Sequence, residues 1–165
     1  MSEGLFDYEG DGDARLNGVE CRILRALLGL ERRHVAVVAD VILGLDATTE
    51  RVTQWERSRE RGYPEAVVTL LRDLVHLVGE YGGALYRAGA REGERITLHA
   101  PPDAAVIRDS LDWDSMLPSP LTAEAVARID AGAGDFWPRL GDAALGEAAR
   151  RADGEGLVVR VERGT

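Results

Sequence analysis

The chain has 165 residues, 45% of them apolar, and its 20 cations against 29 anions give a formal charge of −9. That length and apolar content support one ordinary domain or two small ones around a real core and exclude extensive disorder. The acidic balance excludes a uniformly basic nucleic-acid coat and a polybasic membrane patch, but leaves room for a local basic face.

All 20 cations are arginine, as the codon bias of a GC-rich genome produces. Cys21 is the single cysteine, so neither an intramolecular disulfide nor a cysteine-based zinc site is expected, and a reducing cytoplasm is the natural compartment. No apolar run approaches the roughly 18 residues of a membrane span, and the first residues are acidic where a signal peptide is basic. A cytoplasmic protein without a membrane partner is expected.

Residues 1–16 hold five acids and one arginine and too little apolar surface to order themselves, so they read as a flexible acidic arm. The formal charge is −4 over residues 1–16, 0 over 17–65 and −5 over 66–165, which makes the middle segment the natural place to meet a polyanion. Asn17 with Glu20 three residues on is a capping box that opens the first helix, and Val19, Ile23, Leu27 and Leu30 are its expected inward face. A second helix is predicted over residues 31–43, with Val35, Val38, Ala39 and Ile42 inward and Gly44 as its left-handed terminator. Asp46, Thr48 and Thr49 are N-cap chemistry. They introduce a short third helix over 50–58, with Val52 and Trp55 facing in.

Pro64 suits the first turn of the next helix, the longest in the chain. Its stripe from Val67 through Leu70, Leu71, Leu74 and Val78 to Leu85 is too wide for one neighbouring helix. A domain boundary is placed at residues 89–93. Beyond it, 95–100 and 157–163 alternate like strands, while 103–111, 122–131 and 142–152 read as helices. The expected architecture is mainly α: a flexible arm over 1–16, a helix-turn-helix bundle with a long helix over 17–88, and a smaller α+β region over 94–165 that serves dimerisation or partner binding.

Three short helices with a cap-rich turn before the third are the ingredients of a helix-turn-helix, whose later helix enters the DNA major groove. The run TTERVTQWERSR at residues 48–59 resembles the recognition helix of the Cro and phage-repressor class. LERRHVA at 30–36 is similar to the opening of that class's second helix. WERSR at 55–59 followed by Pro64 and a long helix resembles, within the class, the anti-CRISPR-associated repressors and related small bacterial regulators. From Leu30 to Trp55 the chain departs from the usual pattern by an insertion, read as one extra helical turn and a longer connection. The resemblance implies an N-terminal DNA-binding unit, a C-terminal dimerisation part and autoregulation of the operon.

Carried over position by position, Thr49, Glu50, Thr53 and Gln54 face the bases. Gln54 suits adenine, Glu50 can accept from cytosine N4, and Thr49 can meet a thymine methyl. Arg32, Arg33, Arg51, Arg57, Arg59 and Arg61 are the phosphate candidates; the alternative for each is a surface ion pair with Glu31, Glu56 or Glu60. Cys21 reads as a packing residue. His34, His76 and His99 lack metal-ligand spacing, no phosphate loop, nucleophile elbow or HExxH is present, and the acids flanking Trp113 read as a helix-ending loop, so no metal, cofactor or catalytic group is expected. The expected function is a homodimeric transcriptional repressor on a palindromic operator in double-stranded DNA. The alternative is an antitoxin-like module that binds a protein partner through its C-terminal region.

Overall fold

The computed structural model describes residues 17–101, 104–110 and 121–163. The acidic arm and the acids around Trp113 lie outside the described residues. Helices α1 (Gly18–Leu27), α2 (Arg32–Leu43), α3 (Thr49–Arg57) and α4 (Glu65–Ala88) come first. They are followed by β1 (Ala90–Glu92), β2 (Arg95–Ala100), α5 (Ala104–Ser110), α6 (Ala123–Ala133), α7 (Phe136–Gly154) and β3 (Val158–Arg163). The architecture is mainly helical with a smaller α+β part towards the C-terminal end, as the sequence predicts.

The capping box at α1 is present: Asn17 Oδ1 accepts from the N–H groups of Val19 and Glu20, and Glu20 Oε2 accepts from Asn17 N at 2.8 Å. The inward face of this helix is not the expected one. Cys21, Leu24 and Leu28 are buried, whereas Val19, Ile23 and Leu27 are 40–55% exposed. Gly18 explains the choice, because a Cβ there would lie 2.1 Å from the Glu56 carbonyl oxygen. Only this glycine lets α1 abut the end of α3, and that contact rotates Cys21 and Leu24 into the core. Leu30 is buried as expected, but it lies beyond the helix, past the left-handed Gly29.

Gly44 ends α2 at φ +64, and Thr48 Oγ1 caps α3 by accepting from Arg51 N at 3.2 Å. Five residues separate the two helices. Pro64 stands just outside α4 as its N-cap.

The wide stripe of α4 is covered within the chain. α1 and α2 pack on its first half and α7 on its second, so Ile129, Phe136, Trp137, Leu140 and Ala144 join Leu24, Val35, Val52, Leu70 and Leu74 in one continuous core. Gly82 permits the α4 to α7 approach, since a Cβ there would fall 2.6 Å from the Ala144 carbonyl oxygen. α7 starts before its expected position, at Phe136, with Pro138 in its first turn, where the missing N–H has no intrahelical partner to lose.

A second cluster beneath the sheet joins Tyr86, Ile96, Leu98, Leu145, Ala148 and Ala152. β2 pairs antiparallel with β1 through a two-residue turn at Gly93, φ +62, and parallel with β3, so the two predicted strands meet within one chain. The strand order is β1-β2-β3, which leaves β3 an edge strand. No helix among the described residues is long and apolar enough to cross a membrane.

Candidate nucleic-acid interface

α3 is held from behind by a buried carboxylate. Val52 and Glu56, one helical turn apart, are the two buried residues of the helix. Glu56 accepts from Arg25 Nη2 at 2.7 Å and Nε at 3.1 Å, from Tyr63 Oη at 2.8 Å and from Arg32 Nε at 3.3 Å. Burial alone would raise the Glu56 carboxyl, but hydrogen bonds from Arg25 and Tyr63 and the charge of Arg25 outweigh it and hold the group below its ordinary range. Tyr63 also donates its backbone N–H to Cys21 Sγ at 3.2 Å and meets Trp55 edge to face with ring centres 6.0 Å apart. The Cys21 thiol is pushed up to about 11, first by burial, so it is protonated at neutral pH and packs rather than reacts. Trp55 is half-buried against this cluster.

With one side of α3 fixed this way, Thr49, Glu50, Arg51, Gln54 and Arg57 are exposed. Glu50, Gln54 and Arg57 stand at i, i+4 and i+7 along the outward face. Thr53 departs from the group: it is half-buried, and its Oγ1 donates to the Thr49 carbonyl at 3.0 Å. Its hydroxyl proton is therefore committed to the helix, while Thr49, Glu50 and Gln54 remain open to a ligand.

The six arginine candidates divide in two. Arg32 reaches back to Glu56, and Arg33 is tied to Glu31 at 2.7 Å and to Asp135 at 2.6 Å; both take up the ion-pair alternative. Arg51, Arg57, Arg59 and Arg61 are exposed and make no ion pair with a described carboxylate. Arg22, Arg87 and Arg95 share that state but stand apart in the chain. The loop after α3 is shaped by Ser58 Oγ, which accepts from Arg61 N at 3.0 Å, and by left-handed Gly62 at φ +61. Glu60, between Arg59 and Arg61 in sequence, is exposed and forms an ion pair with neither.

Two buried polar groups were missed in the sequence reading. Glu56 could have been found, since it lies four residues after the inward Val52. His34 could not. It is fully buried at the start of α2, accepts at Nδ1 from Glu31 N at 2.8 Å, and so donates from Nε2 to Asp135 Oδ1 at 2.8 Å. Asp135, at the cap of α7, also accepts from Arg33 and from Arg139 Nε at 2.9 Å. Arg33 above all, then Arg139 and His34, hold its carboxyl far below the usual carboxylate range.

No group of three or more His, Cys, Asp or Glu side chains among the described residues is placed to hold a metal ion. No protein-family model, curated protein or solved structure matches the chain.

Proposed function

We propose that the chain is a sequence-specific DNA-binding transcriptional regulator of the Cro and phage-repressor type, repressing its own operon. The observation that carries this reading is the contrast around α3. Its outward face offers Glu50 and Gln54, and it is flanked by four exposed arginines that no described carboxylate neutralises, whereas Arg32 and Arg33 are consumed by ion pairs. Phosphate contacts from Arg51, Arg57, Arg59 and Arg61 would position the helix, and Gln54, Glu50 and Thr49 would read base edges. Thr53 serves the helix itself.

A two-fold dimer suits this reading, because one short recognition helix covers too little DNA for genomic specificity. The α4 stripe no longer motivates that dimer, since α7 covers it. The sheet edge does: among the described residues β3 has one unpaired side, with Val158 62% and Val161 42% exposed, and such an edge is a template for pairing with a second copy. Light scattering giving twice the chain mass, together with a palindromic footprint on the DNA upstream of the gene, is the expected result. Gln54→Ala should relax preference at one operator position and cost about 1–3 kcal/mol of binding. Unchanged affinity and unchanged preference would show that α3 does not read bases.

A second reading, the antitoxin-like interaction module, draws on a different surface. The exposed Ile23 and Leu27 of α1 line an open groove of about 1040 Å³ walled on its far side by Pro138, Ala143, Gly146 and Arg150 of α7. A toxin-like reading frame beside the gene, whose product binds the wild type and not Ile23→Asp, would favour it. DNA binding that survives Ile23→Asp would assign the two activities to separate surfaces.

A further inference from the structure

We propose that β3 pairs antiparallel with β3 of a second copy about a two-fold axis through Val161, with Arg160 of each copy opposite Glu162 of the other. This deepens the dimer of the reading given above by fixing its register, and it rests on the sheet edge rather than on any contact with DNA.

Hydrogen-bond direction comes first. Val158 N donates to the Glu94 carbonyl at 2.7 Å, and Val158 aligns with Arg95 in the parallel pairing of β2 with β3. Successive residues of a strand turn their N–H and C=O groups to opposite edges. Val158, Arg160 and Glu162 therefore direct theirs at β2, and those of Val159, Val161 and Arg163 point out of the sheet. No described strand pairs with that outer row.

Symmetry then limits the register. Residues directly opposed in an antiparallel pair share a face, whereas neighbours along a strand do not, so the two-fold must pass through a residue that meets its own copy. An axis at Arg160 sets arginine against arginine, and one at Glu162 sets glutamate against glutamate; like charges directly opposite are destabilising. An axis at Val159 matches only residues 158–160 of the two strands, because the remaining overlap falls in the turn at Gly156, φ +74.

An axis at Val161 meets every condition. Val161 and Val159 then exchange backbone hydrogen bonds with Val161 and Arg163 of the second copy. Val161, beside the buried Leu98 in register, covers its own copy on the helix-facing side. On the other face Arg160 and Glu162, with side chains 76% and 49% exposed and 3.5 Å apart within one chain, each oppose an unlike charge. Charges on an edge strand ordinarily guard it against pairing. Opposite in sign and two residues apart, these select one pairing, and the sheet runs on through both copies as β1-β2-β3-β3-β2-β1.

The test uses the full chain without DNA. Sedimentation should show a dimer that dissociates on dilution. Arg160→Glu or Glu162→Arg alone should raise its dissociation constant about tenfold, since each sets like charges opposite one another at two positions. An equimolar mixture of the two variants should return heterodimers of wild-type affinity, a rescue that the contact between Arg160 and Glu162 within one chain cannot produce because both variants lose it. Val161→Cys should give a disulfide-linked dimer on mild oxidation, as such opposed residues have Cα atoms about 5.5 Å apart, and Val159→Cys should not. A mass of 17.9 kDa at every concentration would overturn the pairing. A dimer without the mixed-variant rescue, or in which Val161→Cys fails to cross-link, would overturn the register. A dimer with both properties that binds no DNA would leave the pairing standing and remove the DNA-binding reading, whereas operator binding by a monomer would do the reverse.

Discussion

Two parts of the molecule spend the same residue in opposite ways. At the start of α2, Arg33 and Arg139 converge on Asp135 and Glu31, with His34 donating to the same aspartate, so every charge has a partner and α7 is fastened to the start of α2. Along α3 and the loop after it, Arg51, Arg57, Arg59 and Arg61 stand in solvent, while Glu56 is turned inward on Arg25, Arg32 and Tyr63. Counting arginines says nothing about phosphate binding. What decides is which of them the fold has already neutralised.

The comparison breaks most severely at Glu56. Glu56→Ala leaves Arg25 and the Tyr63 hydroxyl without their acceptor and should cost about 3–5 kcal/mol in urea unfolding, the usual effect of removing one partner from a buried charged pair. A cost within error of an exposed substitution would mean that Glu56 is a surface residue. Tyr63→Phe removes one hydrogen bond to the same carboxylate and should cost about 1.5–3 kcal/mol. The double variant should cost less than the sum, because both changes act on one cluster.

Asp135→Asn tests the other region, with a stability loss on the order of 1 kcal/mol at neutral pH, since the half-exposed carboxylate is screened by solvent. Its pH dependence is the sharper readout. The folded chain holds this carboxyl below the ordinary value near 3.9, so its contribution is complete above about pH 5 and is lost progressively as the pH falls from there. The wild type should therefore converge on the variant in acid, as followed by unfolding between pH 6 and 3; a constant difference would exclude Asp135 as the titrating group.

The smallest effect is the most specific. Arg59→Ala should leave stability unchanged and lower the salt slope of DNA binding by about one unit. Arg33→Ala should leave the slope untouched. Equal slopes for both variants would dissolve the distinction between the paired and the unpaired arginines.

What could be read in the sequence was local. The Asn17 and Glu20 cap, the Gly44 terminator, the Thr48 cap and β2 at Arg95–Ala100 each depend on neighbours a few residues apart, and each stands where the residues put it. The face of α1 was not legible, because the helix carries two apolar stripes and only the close approach at Gly18 selects between them. β1 escaped notice since its three residues are all exposed and show no alternation. The exposed polar positions of α3 were legible from Val52, which fixes the inward direction. The sorting of the arginines was not, since the partner that removes Arg33 lies 102 residues away.

α4 gives the molecule a lever. Its 24 residues make a rod about 36 Å long at 1.5 Å per residue, clasped by α1 and α2 at one end and by α7 and the sheet at the other. Because Gly82 lets α7 lie against the rod without a spacer, a tilt imposed at the sheet passes along its whole length. About ten degrees applied there would carry the α3 end through about 6 Å. A load on β3 would thus be felt at the α3 end as torque carried by a single helix.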